Sequence, residues 1–517
     1  MNKVATGNCG TRYILYICLF AGITMPGIGY FKDDHLVAQW FCGCGAFILV
    51  LLYEIYRAHY KKGNEVFPKS IIGDIATLTT AYECFYAIIK KVSTGGRLLG
   101  TMDNTAGLAL CLSLLFPLVL NQTIECKQGR KSIYIPVAVI SVITIAATGC
   151  RTAIINLAIT AIIFLQLKFK LFKSPKPITS FIIVAITSVF IFSSYKQEST
   201  TGRWFILRNT IELIKERPVT GYSKEGGFKK VYMDKQAQYF KENGEDRYAI
   251  LADEVRHPLN EFLYIWVDYG IGGVILFISA LVFPIIIFYR EKSFIGLCTV
   301  VTVLIFSLFS YPLQYPLPNI ALFVCNAAAI ITTIKRKKGF SITKTRNTAT
   351  AVAILLLACA QMNLLRHFYY HCRWSEAAYR AARGENREML PELEKLYPHF
   401  SQETFYLYNY MAELYFAGEL DKALEVSEEL HRYMSSYNLE LLTGDILLES
   451  GNYNSAIVHY KNAGYMCPNR FAPLEGLYKC YKNTNDDYNR NAIAQIILNK
   501  KVKIPSGDVL RIKNECK

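Results

Sequence analysis

The feature that most constrains this chain is a series of apolar stretches separated by loops whose basic content alternates. A helix that crosses a bilayer core needs roughly 20 mostly apolar residues. Eleven stretches are expected to span, at residues 13–30, 37–56, 71–92, 105–120, 133–148, 152–167, 178–194, 262–289, 293–311, 320–334 and 349–365. The third is the most polar, since it carries Asp74 and Glu83. One set of loops holds Lys3 and Arg12; Arg57, Lys61, Lys62 and Lys69; Lys127, Arg130 and Lys131; Lys168, Lys170, Lys173 and Lys176; Arg290 and Lys292; and Lys335, Arg336, Lys337, Lys338, Lys344 and Arg346. The short loops of the other set hold only Lys32, Lys90, Lys91, Arg97 and Arg151. Cytoplasmic loops collect Lys and Arg, so the first set is expected inside. The amino terminus is then cytoplasmic, and an odd number of crossings leaves the carboxy-terminal region outside.

This alternation decides how the composition is read. With 57 Lys+Arg against 41 Asp+Glu the formal charge is +16. A basic soluble protein would raise nucleic acid as a partner. Here the excess sits on one side of the spans, so it marks topology, and no nucleic acid is expected. Hydrophobic residues make up 52% and charged residues only 19%, which excludes a disordered chain. The mean hydropathy of +0.21 averages an apolar bundle with a polar tail. The first span has no small-residue cleavage site and a second span follows at once, so it is not expected to be a cleaved signal peptide. Of the 15 cysteines, Cys18, Cys42, Cys44, Cys84 and Cys111 lie within expected spans and serve as small apolar residues. Cys42-x-Cys44 has the wrong spacing for a zinc knuckle.

Two regions lie outside the expected membrane part. A loop at about 195–260 is charged in both signs. Within it, 204–216 places Phe205, Leu207, Ile211, Leu213 and Ile214 at helical spacing, which predicts an amphipathic helix on or near the membrane, ended by Pro218 and Gly221. The second region, 371–517, contains a repeat. Gly418 and Gly451 are 33 residues apart, as are Ala423 and Ala456, and a degenerate third copy follows Tyr481. Helix, Gly turn, then Ala early in a second helix is similar to tetratricopeptide repeats, whose period is about 34 residues. Stacked repeats build a concave recognition surface, so a protein partner is expected there. The expected fold is therefore all-α: a polytopic bundle over 1–370 with its external loop, then a helical-repeat domain over 371–517.

Several segments expected at the external face carry groups suited to chemistry. They are Gly100-Thr101-Met102-Asp103-Asn104; Gly149-Cys150-Arg151-Thr152-Ala153; Arg203 with Arg208 on the amphipathic helix; Arg217-Pro218-Val219-Thr220-Gly221; His257-Pro258-Leu259-Asn260-Glu261; and Asp268-Tyr269-Gly270-Ile271-Gly272-Gly273. In this order they resemble the O-antigen ligase and polymerase family of bacterial membrane glycosyltransferases. The Gly-Cys-Arg-Thr-Ala turn is similar to the family's Ser-Arg-Ser/Thr-Ala element. Arg203 through Gly221 resembles its Arg, helix, Arg-Pro-x-x-Gly loop, and His257 to Gly273 its His-Asn-x-x-Leu and Glu-x-Gly-x-x-Gly element. The likeness covers about residues 10–335. The sequence departs from the pattern where Leu259 stands in the usual His place, where Asp268 replaces Glu and where Cys150 replaces Ser.

The resemblance implies a metal-independent, inverting transfer that needs no cofactor. The donor would be a glycan on undecaprenyl pyrophosphate in the bilayer. The acceptor would be a glycolipid such as lipid A–core, a growing glycan or a protein hydroxyl. The family implies the bacterial cytoplasmic membrane. Arg151 and Arg203 suit a clamp on the departing pyrophosphate, because guanidinium groups bind phosphate bidentately and stay charged. Arg208, Arg217, Asn260 and Glu261 are candidate substrate contacts. His257 is the candidate base, with Glu254 or Glu261 as alternatives. A polysaccharide flippase is the competing class, and it would need charged groups deep in the bundle.

Overall fold

The computed structural model describes residues 3–25, 35–60, 69–126, 128–169, 197–336 and 345–517, and the regular elements among them are helical. The membrane part contains α1 (Lys3–Ile23), α2 (His35–Tyr60), α3 (Lys69–Thr94), α4 (Thr105–Glu125), α5 (Lys131–Ala147) and α6 (Arg151–Phe169). The loop region contributes α7 (Gln197–Glu216) and α8 (Phe228–Asn243). Then come α9 (Glu261–Arg290), α10 (Phe294–Phe309), α11 (Pro316–Arg336) and α12 (Thr345–Ala381). The tail holds α13 (Asn386–Phe400), α14 (Thr404–Ala417), α15 (Leu420–Leu430), α16 (Tyr437–Glu449), α17 (Tyr453–Met466), α18 (Ala472–Asn483), α19 (Asp487–Asn499) and α20 (Gly507–Glu515). Among the described residues seven helices are long and apolar enough to cross a membrane: those at Leu36–Arg57, Thr105–Glu125, Gln128–Ala147, Arg151–Phe169, Glu261–Arg290, Pro316–Arg336 and Ala349–Ala381. Gly10–Ile23 and Phe294–Phe309 are apolar but shorter. The polar third stretch forms the helix α3, and the expected span at 178–194 lies outside the described residues.

The chain divides into two compact units, Met1–Phe192 with Leu276–Cys372, and Ser193–Ile275 with Arg373–Lys517. This differs from a simple division into bundle and tail, because the loop clusters with the tail.

In the first unit α4 is the central helix, with Leu108, Ala109, Leu112, Leu115 and Val119 almost wholly buried. Two acidic groups of α3, Glu83 buried and Asp74 half-buried, are satisfied by neighbours, which is what a carboxylate in an apolar bundle requires. Asp74 accepts from the Tyr134 hydroxyl at 2.6 Å and the Tyr13 hydroxyl at 3.0 Å. Glu83 accepts from the Thr101 hydroxyl at 2.6 Å and the Thr101 amide at 3.1 Å. Gly100 has φ +58°, and a Cβ there would sit 2.5 Å from Glu83 Oε2. Asn104 then caps α4 by accepting from Gly107 N at 2.8 Å and donates to the Tyr315 hydroxyl at 2.9 Å. The Gly100 to Asn104 segment is thus explained by packing and capping. On α1 and α2, Arg12 holds Glu54 bidentately, at 2.9 Å and 2.5 Å.

The second unit is assembled across a long stretch of sequence. Leu213, Tyr222, Phe228, Tyr232, Met233 and Val267 share a buried cluster with Tyr437, Ala463, Met466 and Cys467. In the tail, helix pairs are joined by turns in which Gly384, Gly418, Gly451 and Asn485 take positive φ (99°, 83°, 77° and 57°). Those four positions step by 34, 33 and 34 residues. The copy ending at Gly384 precedes those expected from the sequence, and Asn485 replaces Gly in the last because Asn tolerates the left-handed region. Ala423 and Ala456 are fully buried.

Candidate functional site

The amphipathic helix α7 turns its i, i+4 rows inward. Phe205, Asn209 and Leu213 are buried, as are Thr210 and Ile214, while Arg203, Trp204, Arg208, Ile211 and Lys215 are exposed. Phe205 packs on Tyr239, Phe240 and Ala249. The expected apolar stripe is therefore shifted: it serves a protein core, and Trp204 and Ile211 are left facing outward.

After α7, residues 218–222 bond to the start of α9. Pro218 O accepts from the Trp266 indole at 2.9 Å and from Ile271 N at 3.0 Å. Tyr222 N donates to Val267 O at 2.8 Å. The close approach needs glycine on both sides. Gly221 (φ +65°) lies against the Asp268 carbonyl. Gly270 (φ 64°, ψ −167°) breaks α9 where a Cβ would overlap the Val219 carbonyl. The two motifs Pro218–Gly221 and Asp268–Gly270 thus form one joint. Asp268 accepts from Phe228 N at 2.7 Å, at the amino terminus of α8, where the helix dipole favours a carboxylate. A Cβ on Gly227 would lie 2.6 Å from Asp268 Oδ1.

The turn entering α9 carries the other candidates. His257 is half-buried, with its ring 5.3 Å from that of Tyr264. Leu259 has φ +57°, a strained conformation for a branched residue. Asn260 caps α9 by accepting from Leu263 N at 3.0 Å, so its carbonyl oxygen positions the turn. Glu261 is buried in the first turn of α9. Burial raises the Glu254 carboxyl above its usual value, with Arg256 partly offsetting this. Glu254 also accepts from Asn438 Nδ2 at 3.3 Å.

The arginines differ in setting. Arg203 is exposed on α7. Arg208 pairs with Glu212 at 3.4 Å and lies over the Tyr239 ring at 5.0 Å. Arg217 is bonded to Glu225 and stacks on Tyr222 at 4.8 Å. Burial and Glu216 push the Tyr222 hydroxyl up to about 12. Arg151 opens α6 in the first unit, after a turn in which Gly149 has φ +67° and Thr148 Oγ1 accepts from Cys150 N. The other candidates lie together in the second unit, on α7, on its carboxy-terminal end and on the turn entering α9.

Sequence reasoning missed the tail's part in this region. Asn469 is buried and donates its amide to the carbonyls of Ala249, Ile250 and Ala252. Gln236 donates to Met466 O at 2.6 Å, and Arg470 pairs with Asp253 at 2.8 Å. The signal for α8 was present in the sequence. Phe228, Tyr232, Met233, Gln236, Tyr239 and Phe240 make a helical stripe, and all are buried.

Several apolar helices long enough to span, joined to a helical unit built around a polar loop, define a multi-pass helical membrane protein. Residues 136–278 match the family model described as O-antigen ligase. Over that segment, which is under a third of its length, the chain is similar to the O-antigen ligase family. The match runs from α5 to the first part of α9 and includes Arg151, Arg203, Arg208, Arg217, His257, Asn260, Glu261 and Asp268. No curated protein is a significant match to the chain.

Proposed function

We propose that the protein transfers a glycan from undecaprenyl pyrophosphate to an acceptor hydroxyl at the outer face of the bacterial cytoplasmic membrane. The carrying observation is that the family match encloses the Arg203 helix, the Pro218–Gly270 joint and the strained turn at His257. In the proposed reaction the acceptor oxygen bonds to the anomeric carbon as the bond to the pyrophosphate oxygen breaks, inverting that carbon. His257 takes the acceptor's proton, with Glu254 the alternative, since its raised pKa brings it nearer working pH. Arg203 holds the charge that develops on the leaving pyrophosphate, and Arg151 of the first unit is a further candidate for the same role. Arg208 joins them by exchanging its exposed pair with Glu212 for phosphate. Arg217, Asn260 and Glu261 shape the loop that the substrate meets. No metal ion is assigned to this step. Acceptors of all three kinds, lipid A–core, a growing glycan or a protein, fit this chemistry.

Eleven crossings put this loop and the tail outside, and their packing into one unit supports a common side for both. The tail is proposed to be tetratricopeptide-like, bracing the loop and receiving a macromolecular partner. A transporter is disfavoured by a specific observation. The bundle holds a cavity of about 480 Å³ among Tyr16, Phe20, Phe47, Leu115, Phe288 and Lys335, and its walls include neither Asp74 nor Glu83.

The test is transfer in proteoliposomes with an undecaprenyl-pyrophosphate glycan and each acceptor class. Arg203→Ala is expected to lower transfer about 10²–10³-fold and His257→Ala about 10²–10⁴-fold. Undiminished transfer by both variants would reject the site.

A further inference from the structure

Three side chains in the tail converge in a way that the transfer reaction does not use. His431 follows the last turn of α15, Glu440 lies in the first turn of α16, and His459 sits in α17. Glu440 is buried and the imidazoles are about a quarter exposed, at 24% and 26%. His431 Nε2 is 3.2 Å from Glu440 Oε1, and His459 Nδ1 is 2.8 Å from Glu440 Oε2. One nitrogen or oxygen from each residue lies within 4.8 Å of the others.

The hydrogen bonding of His431 shows what this cluster lacks. Its Nδ1 is 2.7 Å from the Ser427 carbonyl. A carbonyl oxygen only accepts, so Nδ1 carries the hydrogen. In a neutral ring Nε2 is then a bare lone pair, and it faces a carboxylate oxygen. Two acceptors at 3.2 Å repel unless a positive species lies between them. A ring whose other nitrogen donates to a backbone carbonyl is the usual arrangement of a metal-bound histidine. Two ligands at about 2.0–2.1 Å from a tetrahedral ion sit roughly 3.3 Å apart, close to the spacing of His431 and Glu440. Without an ion, His431 would have to carry a proton on both nitrogens, while His459 could donate to Glu440 as a neutral ring.

We propose that His431, Glu440 and His459 form a three-ligand site for a borderline divalent transition ion of the Zn²⁺ class. Two imidazoles and one carboxylate suit such an ion, whereas Mg²⁺ and Ca²⁺ prefer oxygen alone. The partly exposed rings leave room for water as the fourth ligand. The ion joins α15, α16 and α17, which share no local sequence motif. It also braces the link after His431, where Ser435 N donates to Lys229 O at 3.2 Å and the Ser435 hydroxyl bonds Asp234. Lys229 and Asp234 belong to α8 of the loop, so an ion here stiffens the support of that loop.

The test uses the untagged full-length protein in detergent, stripped with a chelator and titrated with ZnCl₂. Wild type is expected to bind one ion per chain more than His431→Gln or His459→Gln, or to bind it at least about 10-fold more tightly. Its unfolding midpoint should rise with Zn²⁺, while those of the variants stay flat. Circular dichroism of the stripped variants checks that they are folded. If either variant fails to fold, Co²⁺ bound to wild type provides the reading. Four-coordinate d–d absorption without a thiolate charge-transfer band supports the site, and a thiolate band places the ion on cysteines and overturns it. Equal Zn²⁺ binding by wild type and folded variants overturns it as well. So does a wild type that takes up no ion but is stabilised as pH falls through the imidazole range, which would make the cluster proton-bridged.

Discussion

Gly270→Ala is the most informative single substitution in the loop region. Gly270 sits at φ 64° and ψ −167°, a region open essentially to glycine alone. An added Cβ would overlap the Val219 carbonyl and lie 2.9 Å from the Thr220 nitrogen, so backbone would have to move. That movement breaks the bonds from Ile271 N and the Trp266 indole to Pro218 O. Backbone strain and two lost hydrogen bonds together cost about 2–6 kcal/mol, a large share of the 5–15 kcal/mol that typically holds a domain together. For a unit of this size the unfolding midpoint should fall by roughly 5–20 °C. Gly272, two residues on, is the internal control. It has normal helical backbone and nothing within 4 Å of a Cβ. Gly272→Ala should be neutral or stabilising by up to about 1 kcal/mol. Thermal unfolding and limited proteolysis of residues 197–275 would be measured on both variants, together with transfer. Gly270→Ala should expose the loop to protease and lose transfer, and Gly272→Ala should match wild type. If the two variants behave alike, the joint between Pro218 and Gly270 does not hold the loop.

Other perturbations test other parts of the account. Asn469→Ala leaves buried carbonyls at Ala249 and Ala252 unpaired and should cost about 2–4 kcal/mol, seen as faster proteolysis at 244–260 with the tail intact. Glu254→Gln should stabilise the protein at neutral pH. The folded-state pKa of Glu254 is raised, so its charged form weakens the fold above that value, and the penalty fades as pH falls toward the unfolded value; wild-type and variant unfolding midpoints should therefore converge in acid and separate near pH 7. Thr101→Val removes the hydroxyl that donates to buried Glu83 and should lower stability by about 1–3 kcal/mol, with Glu83→Gln in the same background recovering part of the loss. Ending the chain at residue 372 uncovers Phe228, Met233 and Val267, and the truncated protein should aggregate or lose transfer even though the family-matched residues are all retained.

The parts of this protein that were legible in the sequence are those governed by local pattern. Hydropathy over about 20 residues marks the seven described helices long and apolar enough to span, while the expected spans at 13–30 and 293–311 correspond to shorter apolar helices and the polar stretch at 71–92 is not among the seven. Gly221 stood out as ending the amphipathic helix, and Gly270 only as part of the Asp268–Gly273 motif at the eighth expected span. That they meet each other did not, since their contact depends on a backbone approach between residues nearly fifty positions apart. The stripe of α7 was read with Leu207 and Ile211 on the apolar face, whereas the structure buries Asn209 and Thr210 in their stead, because the protein core selected the row and not hydropathy. The docking of Phe228, Tyr232 and Met233 against Tyr437 and Met466 joins residues more than 200 positions apart, and no spacing announces it. The His431, Glu440 and His459 cluster is hidden for the same reason, each side chain coming from a different helix. Gly384 was missed because its repeat continues directly from the helix α12, with no turn before it.

The central claim is that the donor lipid is cleaved from its glycan at this protein. It is tested most directly by measuring undecaprenyl pyrophosphate released in proteoliposomes alongside glycan joined to acceptor. The account predicts one lipid pyrophosphate for each glycan transferred by wild type, with both products lost together in Arg203→Ala. Lipid-linked glycan that crosses the bilayer with its pyrophosphate linkage intact, and no release of the lipid in the presence of any acceptor, would contradict it.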